Sequence, residues 1–108
     1  MIIVRNKRTF NKPGVYVGRP STLRNRWEMN EKDPKYTREK VIGYYREWLH
    51  IEMSKKDGQV YKLIMEIVEL AKRQDVVNLI CWCAPLACHA DVIKECVESI
   101  IATGSWGG

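Results

Sequence analysis

No acidic side chain occurs in residues 1 to 26, although seven basic ones do: Arg5, Lys7, Arg8, Lys12, Arg19, Arg24 and Arg26. No apolar run approaches the roughly 20 residues of a membrane-spanning helix, which argues against a membrane partner. The start, "MIIVRNKRTF", turns charged directly after its short apolar run, unlike a secretory signal. The expectation is a cytoplasmic protein whose thiols are free or metal-bound, because bridges are rare in a reducing compartment. A second, distant cysteine pair is also missing, since all four cysteines lie between positions 81 and 96. That counts against zinc held by two separated pairs, the common structural arrangement.

At 108 residues the chain is long enough to bury one hydrophobic core without metals or disulfides. Its net charge of +5 is unevenly spread: the second half carries six basic and seven acidic residues, so the positive field belongs to the N-terminal part. Such a block suits an anionic partner, a nucleotide or a nucleic-acid backbone. A merely soluble basic face explains it equally well, because no aromatic ladder is interleaved with these charges along the sequence.

"IIVR" and "VYVGR" are short β-prone runs joined through Asn and Pro-Gly, which predicts two neighbouring antiparallel strands. The eighteen residues "RPSTLRNRWEMNEKDPKY" show no sustained period, and so long a loop is more often functional than idle. Thr37 is a candidate N-cap for a helix reaching about Lys55, with Val41, Ile42, Tyr45, Trp48 and Leu49 at helical spacing. A second helix is predicted from Gln59 to Arg73. "VVNLICWC" is apolar on both alternating faces, as in a parallel strand covered on both sides; Asn78 alone breaks the pattern. A helix from Ala90 to Ala102 follows. The expectation is an α/β domain over residues 1–103, a small three-stranded mixed sheet in the order β-β-α-α-β-α with helices packed on it, and a flexible tail over 104–108. Parallel crossover brings the ends of "VYVGR" and "LICWC" to one carboxyl edge, where ligands bind in open α/β sheets.

Three cysteines and His89 fall within the nine residues 81–89. Cys81 and Cys83 project from one face of a strand while Trp82 points away. Cys96 reads as a core residue. Cys81, Cys83, Cys88 and His89 are the candidate zinc ligands, but consecutive Cys88-His89 is an awkward pair for one ion; zinc remains the lesser alternative, and no metal or cofactor is assigned. Cys88 stands where the helix dipole lowers a thiol pKa, and His89 beside it is a candidate proton carrier. Capping and filling the strand-to-helix turn explains the pair as well. Asp91 sits favourably in the first helical turn, available to Arg19 or a ligand hydroxyl. His50 reads as solvated.

"VYVGRPSTLRN", "REKVIGYYREWL" and "LICWCAPLACHADVI" together resemble a domain-of-unknown-function family of bacteria and their phages, family 4326. Where the family has a Gly-Asn-Pro-Phe-like turn, this chain has Arg24-Asn25-Arg26-Trp27, keeping Asn25 and an aromatic. The resemblance implies a compact α/β domain of phage or bacterial origin, hence host cytoplasm if phage-encoded, and it brings no activity. Position by position it carries over Gly18, Arg19, Pro20, Ser21, Asn25, Cys83, Pro85, Cys88, His89 and Asp91.

The leading expectation is a site for a phosphate-bearing ligand such as a nucleotide. In it Arg19 pairs with phosphate, Ser21 and Asn25 hydrogen bond, and helix amides add donors; if chemistry follows binding, Cys88 or His89 carries it. The alternative is a non-enzymatic module that binds nucleic acid or a host protein through Lys7, Arg8, Arg24 and Arg26.

Overall fold

The computed structural model describes residues 1–107, and Gly108 lies outside them. Its elements are β1 (Ile2–Asn6), β2 (Val15–Tyr16), α1 (Arg38–Ser54), α2 (Gln59–Arg73), β3 (Val77–Cys81) and α3 (His89–Thr103). The α/β class and the element order are those expected from the sequence.

The sheet is not mixed. Its order is β1-β3-β2, and both outer strands run parallel to β3, with Ile2 opposite Val77, Asn6 opposite Cys81, and Val15 opposite Leu79. The two N-terminal strands are therefore not neighbours and form no hairpin. The reason lies in the eight residues between them. Skipping one strand means crossing about 10 Å, and eight extended residues reach about 26 Å or more, so the chain can step over β3. Asn6 starts this crossing: its Oδ1 accepts the Arg8 amide at 2.8 Å, and its Nδ2 donates to the carbonyl oxygens of Trp82 and Ala84. Gly14 ends it so close to β3 that a Cβ there would stand 2.8 Å from the Asn78 carbonyl oxygen.

α1 begins where Thr37 Oγ1 accepts the Lys40 amide, and it buries Val41, Tyr45 and Leu49 on one stripe. α2 buries Val60, Ile64, Ile67 and Val68. α3 ends at Gly104, whose φ of 86° is the left-handed conformation glycine adopts at low cost. These stripes meet Ile2, Val77, Leu79 and Cys81 in one core, with Val4 and Val15 packed against it. Tyr45 is fully buried, and its hydroxyl donates to the Leu23 carbonyl at 2.7 Å. Trp106, beyond α3, donates to Glu95 and stacks at 3.6 Å on His50, which is exposed as expected.

β3 is sheltered unequally. The alternate residues Ile3, Arg5, Tyr16, Asn78, Ile80 and Trp82 belong to the face opposite the core, and this face carries the 7–14 crossing instead of a helix. The strand is covered on both sides as expected, with Val77, Leu79, Ile80 and Cys81 all buried, but the cover on this face is a connecting segment. Asn78, the break in the apolar pattern, accepts a hydrogen bond from Arg5 Nε at 3.0 Å.

Leu79→Ala, at a position fully sealed in the core, is expected to lower stability by about 2–5 kcal/mol. Val76→Ala, just outside the strand at 40% exposure, is expected to stay within about 0.5 kcal/mol. Urea unfolding of the two variants makes the comparison.

Candidate functional site

Both parallel pairings end at the same sheet edge, and two loops leave from it. The first continues from β2. Val17 still donates its amide to Ile80, after which Ser21 bonds back to the Gly18 carbonyl and Arg24 to the Ser21 carbonyl. Ser21 Oγ accepts the Leu23 amide, and Asn25 Oδ1 accepts the Trp27 amide. Gly18 is buried, and a Cβ on it would meet the Tyr16 hydroxyl oxygen at 2.6 Å. That hydroxyl donates to the Arg19 carbonyl and accepts from Trp82 Nε1, so it is not free to yield.

The second loop runs from β3 to α3. Leu86 bonds back to the Cys83 carbonyl, and Arg38 donates to the Ala87 carbonyl at 2.7 Å. At the start of α3 the backbone amide of Cys88 donates to Asp91 Oδ2 at 2.9 Å, while Cys88 Sγ accepts the Ala90 amide at 3.4 Å. This reciprocal cap satisfies two donors that a helix N-terminus leaves open.

His89 joins the loops. Its Nε2 lies 2.7 Å from the Val17 carbonyl oxygen. A carbonyl only accepts, so Nε2 carries the proton and the neutral ring keeps its lone pair on Nδ1. Burial is the largest influence on this imidazole and lowers its pKa from the ordinary 6.5; the Arg19 charge acts in the same direction, against the Val17 bond and Asp91. Tyr45 braces the ring edge-on at 5.1 Å. No buried side-chain nitrogen or oxygen among the described residues lacks a partner. Nδ1 has no hydrogen-bond partner among the described residues, and His89 lines the space beside it.

That space is a cavity of about 570 Å³. Gly18, Arg19 and Asn25 of the first loop line it together with Cys83, Cys88 and His89 of the second. The expected convergence of the two loops therefore occurs, and Arg19 and His89 face one space. Sequence reasoning missed the remaining wall: Arg8 from the crossing, Trp27, Glu28 and Met29 from the long loop, Val41 and Ile42 from the first turn of α1, and Trp82. The alternation along β3 signals that Trp82 points away from Cys81, but nothing local signals what it meets there.

Four of the residues named from the sequence lie elsewhere. Pro85 and Asp91 line a groove beside β1. Ser21 borders α2 and braces its own turn. Pro20 is exposed outside the cavity. Asp91 is engaged with the Cys88 amide and not with Arg19.

The expectation for Cys88 is reversed. Its sulfur is buried and donates to Cys81 Sγ at 3.4 Å. That bond and burial together push its thiol well above the ordinary range, against the lowering expected from the helix dipole. Burial likewise raises Cys96, to about 12, which fits the core role read for it. No cluster of three or more His, Cys, Asp or Glu side chains among the described residues is arranged to hold a metal ion. Cys81 and Cys88 face each other in the core, Cys83 faces the cavity, and His89 Nε2 is engaged with Val17.

The lowered His89 pKa sets the direction of a pH effect. The unfolded imidazole takes up a proton below about 6.5 that the folded one resists, so this contribution to stability is complete above that value and is lost as the pH falls. Wild-type protein is expected to lose stability relative to His89→Gln between pH 7 and pH 5, measured by urea unfolding across that range.

No curated protein and no solved structure matches the chain. The family resemblance read from the two loop motifs is met by a match over residues 3–99, from β1 well into α3, and the chain accordingly belongs to that family, a domain of unknown function (DUF4326).

Proposed function

We propose that the carboxyl-edge cavity binds a phosphate-bearing ligand of nucleotide size. The observation that carries this reading is the meeting of two guanidinium groups, Arg8 and Arg19, with two indoles, Trp27 and Trp82, around one cavity of about 570 Å³. Sites for small molecules run from about 300 to 1,000 Å³ and combine apolar walls with a few converging polar groups. A planar base suits the indoles and the Val41–Ile42 wall; a phosphate suits arginine, whose planar fork matches its oxygens.

The α3 terminus contributes less than expected, because its Cys88 amide is held by Asp91 and its Ala90 amide by Cys88 Sγ. Charge recognition passes to Arg8 and Arg19, with Asn25 as a neutral partner. Of the two residues expected to carry chemistry, the geometry favours His89: a neutral imidazole with Nδ1 toward the ligand is a hydrogen-bond acceptor and a proton acceptor. Cys88, protonated and buried, holds the helix start on which His89 sits.

Thermal unfolding with a panel of nucleoside mono-, di- and triphosphates tests the proposal. At a ligand concentration about a hundredfold above Kd, stabilisation of about 2.7 kcal/mol is expected. Arg19→Ala is expected to weaken binding at least tenfold and Trp82→Ala severalfold, with calorimetry as the second readout. Wild-type protein unmoved by every nucleotide would overturn the reading.

A further inference from the structure

Parallel sheets ordinarily have both faces covered. Here the helices and their core take one face, while the 7–14 crossing passes over the other, and α1 comes near that side at the Trp82 end, where Val41 and Ile42 share the cavity wall with Arg8 and Trp82. What that face presents is specific. The Arg5 guanidinium lies 4.9 Å over the Phe10 ring, the Lys7 ammonium 5.4 Å over Tyr16, and the Arg8 guanidinium 6.0 Å over Trp82. Trp82 Nε1 donates to the Tyr16 hydroxyl at 2.8 Å, which fixes two of the rings relative to each other, and Trp82 is half exposed.

Among the described residues none of these cations is in an ion pair with a carboxylate. The ion pairs among the described residues join Arg46 to Glu95, Lys55 to Glu52 and Lys72 to Glu69, all on the helices or, for Lys55, at the C-cap of α1. The segment that supplies the face holds no acidic residue at all. Aromatic rings that each carry on one face a cation without an ion-pair partner match a chain of bases joined by phosphates: the second face of a ring suits a base, and every linkage carries one negative charge.

We infer that the helix-free face of the sheet is a platform for single-stranded nucleic acid, with unpaired bases on Phe10, Tyr16 and Trp82 and backbone phosphates on Arg5, Lys7 and Arg8. A duplex is a poor occupant, because its bases are already stacked on one another. Arg8 and Trp82 also line the cavity, so the platform runs to the cavity mouth, although the inference stands whether or not a free nucleotide enters there.

Fluorescence anisotropy with a labelled single strand of about ten nucleotides, as DNA and as RNA, tests it against a hairpin duplex of the same length. Binding of at least one single strand is expected to be at least tenfold tighter than that of the duplex and to weaken steeply with salt. Phe10→Leu and Tyr16→Leu, which keep bulk but lose the ring, are each expected to weaken it about tenfold, whereas Tyr16→Phe retains it. Lys7→Gln is expected to flatten the salt dependence by about one phosphate contact. Phe10 and Lys7 lie outside the cavity wall, so nucleotide stabilisation in their variants reads the cavity separately. Strand binding without nucleotide stabilisation keeps the platform and removes the cavity reading; nucleotide stabilisation without strand binding does the reverse. Equal affinity for duplex and single strand, or indifference to loss of the rings, would also overturn the platform.

Discussion

Everything at the candidate site depends on β3 having a strand on each side, both parallel to it. A strand paired on both edges has its backbone donors and acceptors engaged in the sheet, and its direction dictates where every neighbouring loop emerges. Because β1, β2 and β3 all point the same way, three chain segments leave the sheet at one edge. The 7–14 crossing, the long loop after β2 and the turn into α3 are therefore forced into proximity. The Val17–His89 hydrogen bond then fixes two of them in register, and Asn6 ties the third to Trp82 and Ala84. An antiparallel β1–β2 pair would have sent the basic crossing to the opposite end of the sheet.

The polar residues at this edge divide by their first obligation. Ser21, Asn25 and Asp91 each accept a backbone amide two or three residues away, as short polar side chains do at turns and helix starts. Only Asn25 combines that duty with a place in the cavity wall. Arg8 and Arg19 line the cavity without such a duty, Arg8 with its guanidinium 6.0 Å over the Trp82 ring. In this way the same edge separates residues that shape it from residues available to a ligand.

The helices were legible because their signals are local. Thr37 followed by Val41, Tyr45 and Leu49 announces α1 without reference to any other part of the chain, and the apolar stripe of α2 does the same. Strand pairing was not legible, because no residue in "IIVR" or "VYVGR" states which neighbour it takes. The Pro13-Gly14 turn signal suggested a hairpin, whereas Gly14 serves close passage over Asn78. The meeting of Arg19 with His89 followed from one topological rule. That Trp27, Trp82 and Arg8 share the same space was not legible, because their proximity arises from that topology and Arg8 read only as one charge of a basic segment. Phe10 and Tyr16 of the basic segment are joined from across the sheet by Trp82, the residue after β3. Cys88 misled because its position in sequence describes a helix terminus, while its acidity is decided by the core it faces and by the sulfur of Cys81.

The stack of Trp106 on His50 has a mechanical side. α1, about 25 Å long for its seventeen residues, lends its first turn to the cavity wall through Val41 and Ile42, and it carries His50 about 12 Å further along. Glu95 of α3 receives both Arg46 of α1 and the indole of Trp106, so two fasteners hold the middle and later turns of α1 against α3. The first turn is pinned as well, because Arg38 donates to the Ala87 carbonyl of the loop that borders the site. Val41 and Ile42 are thus held in the wall by contacts at both ends of the helix, and Trp106, which lines no part of the cavity, secures the far one through His50.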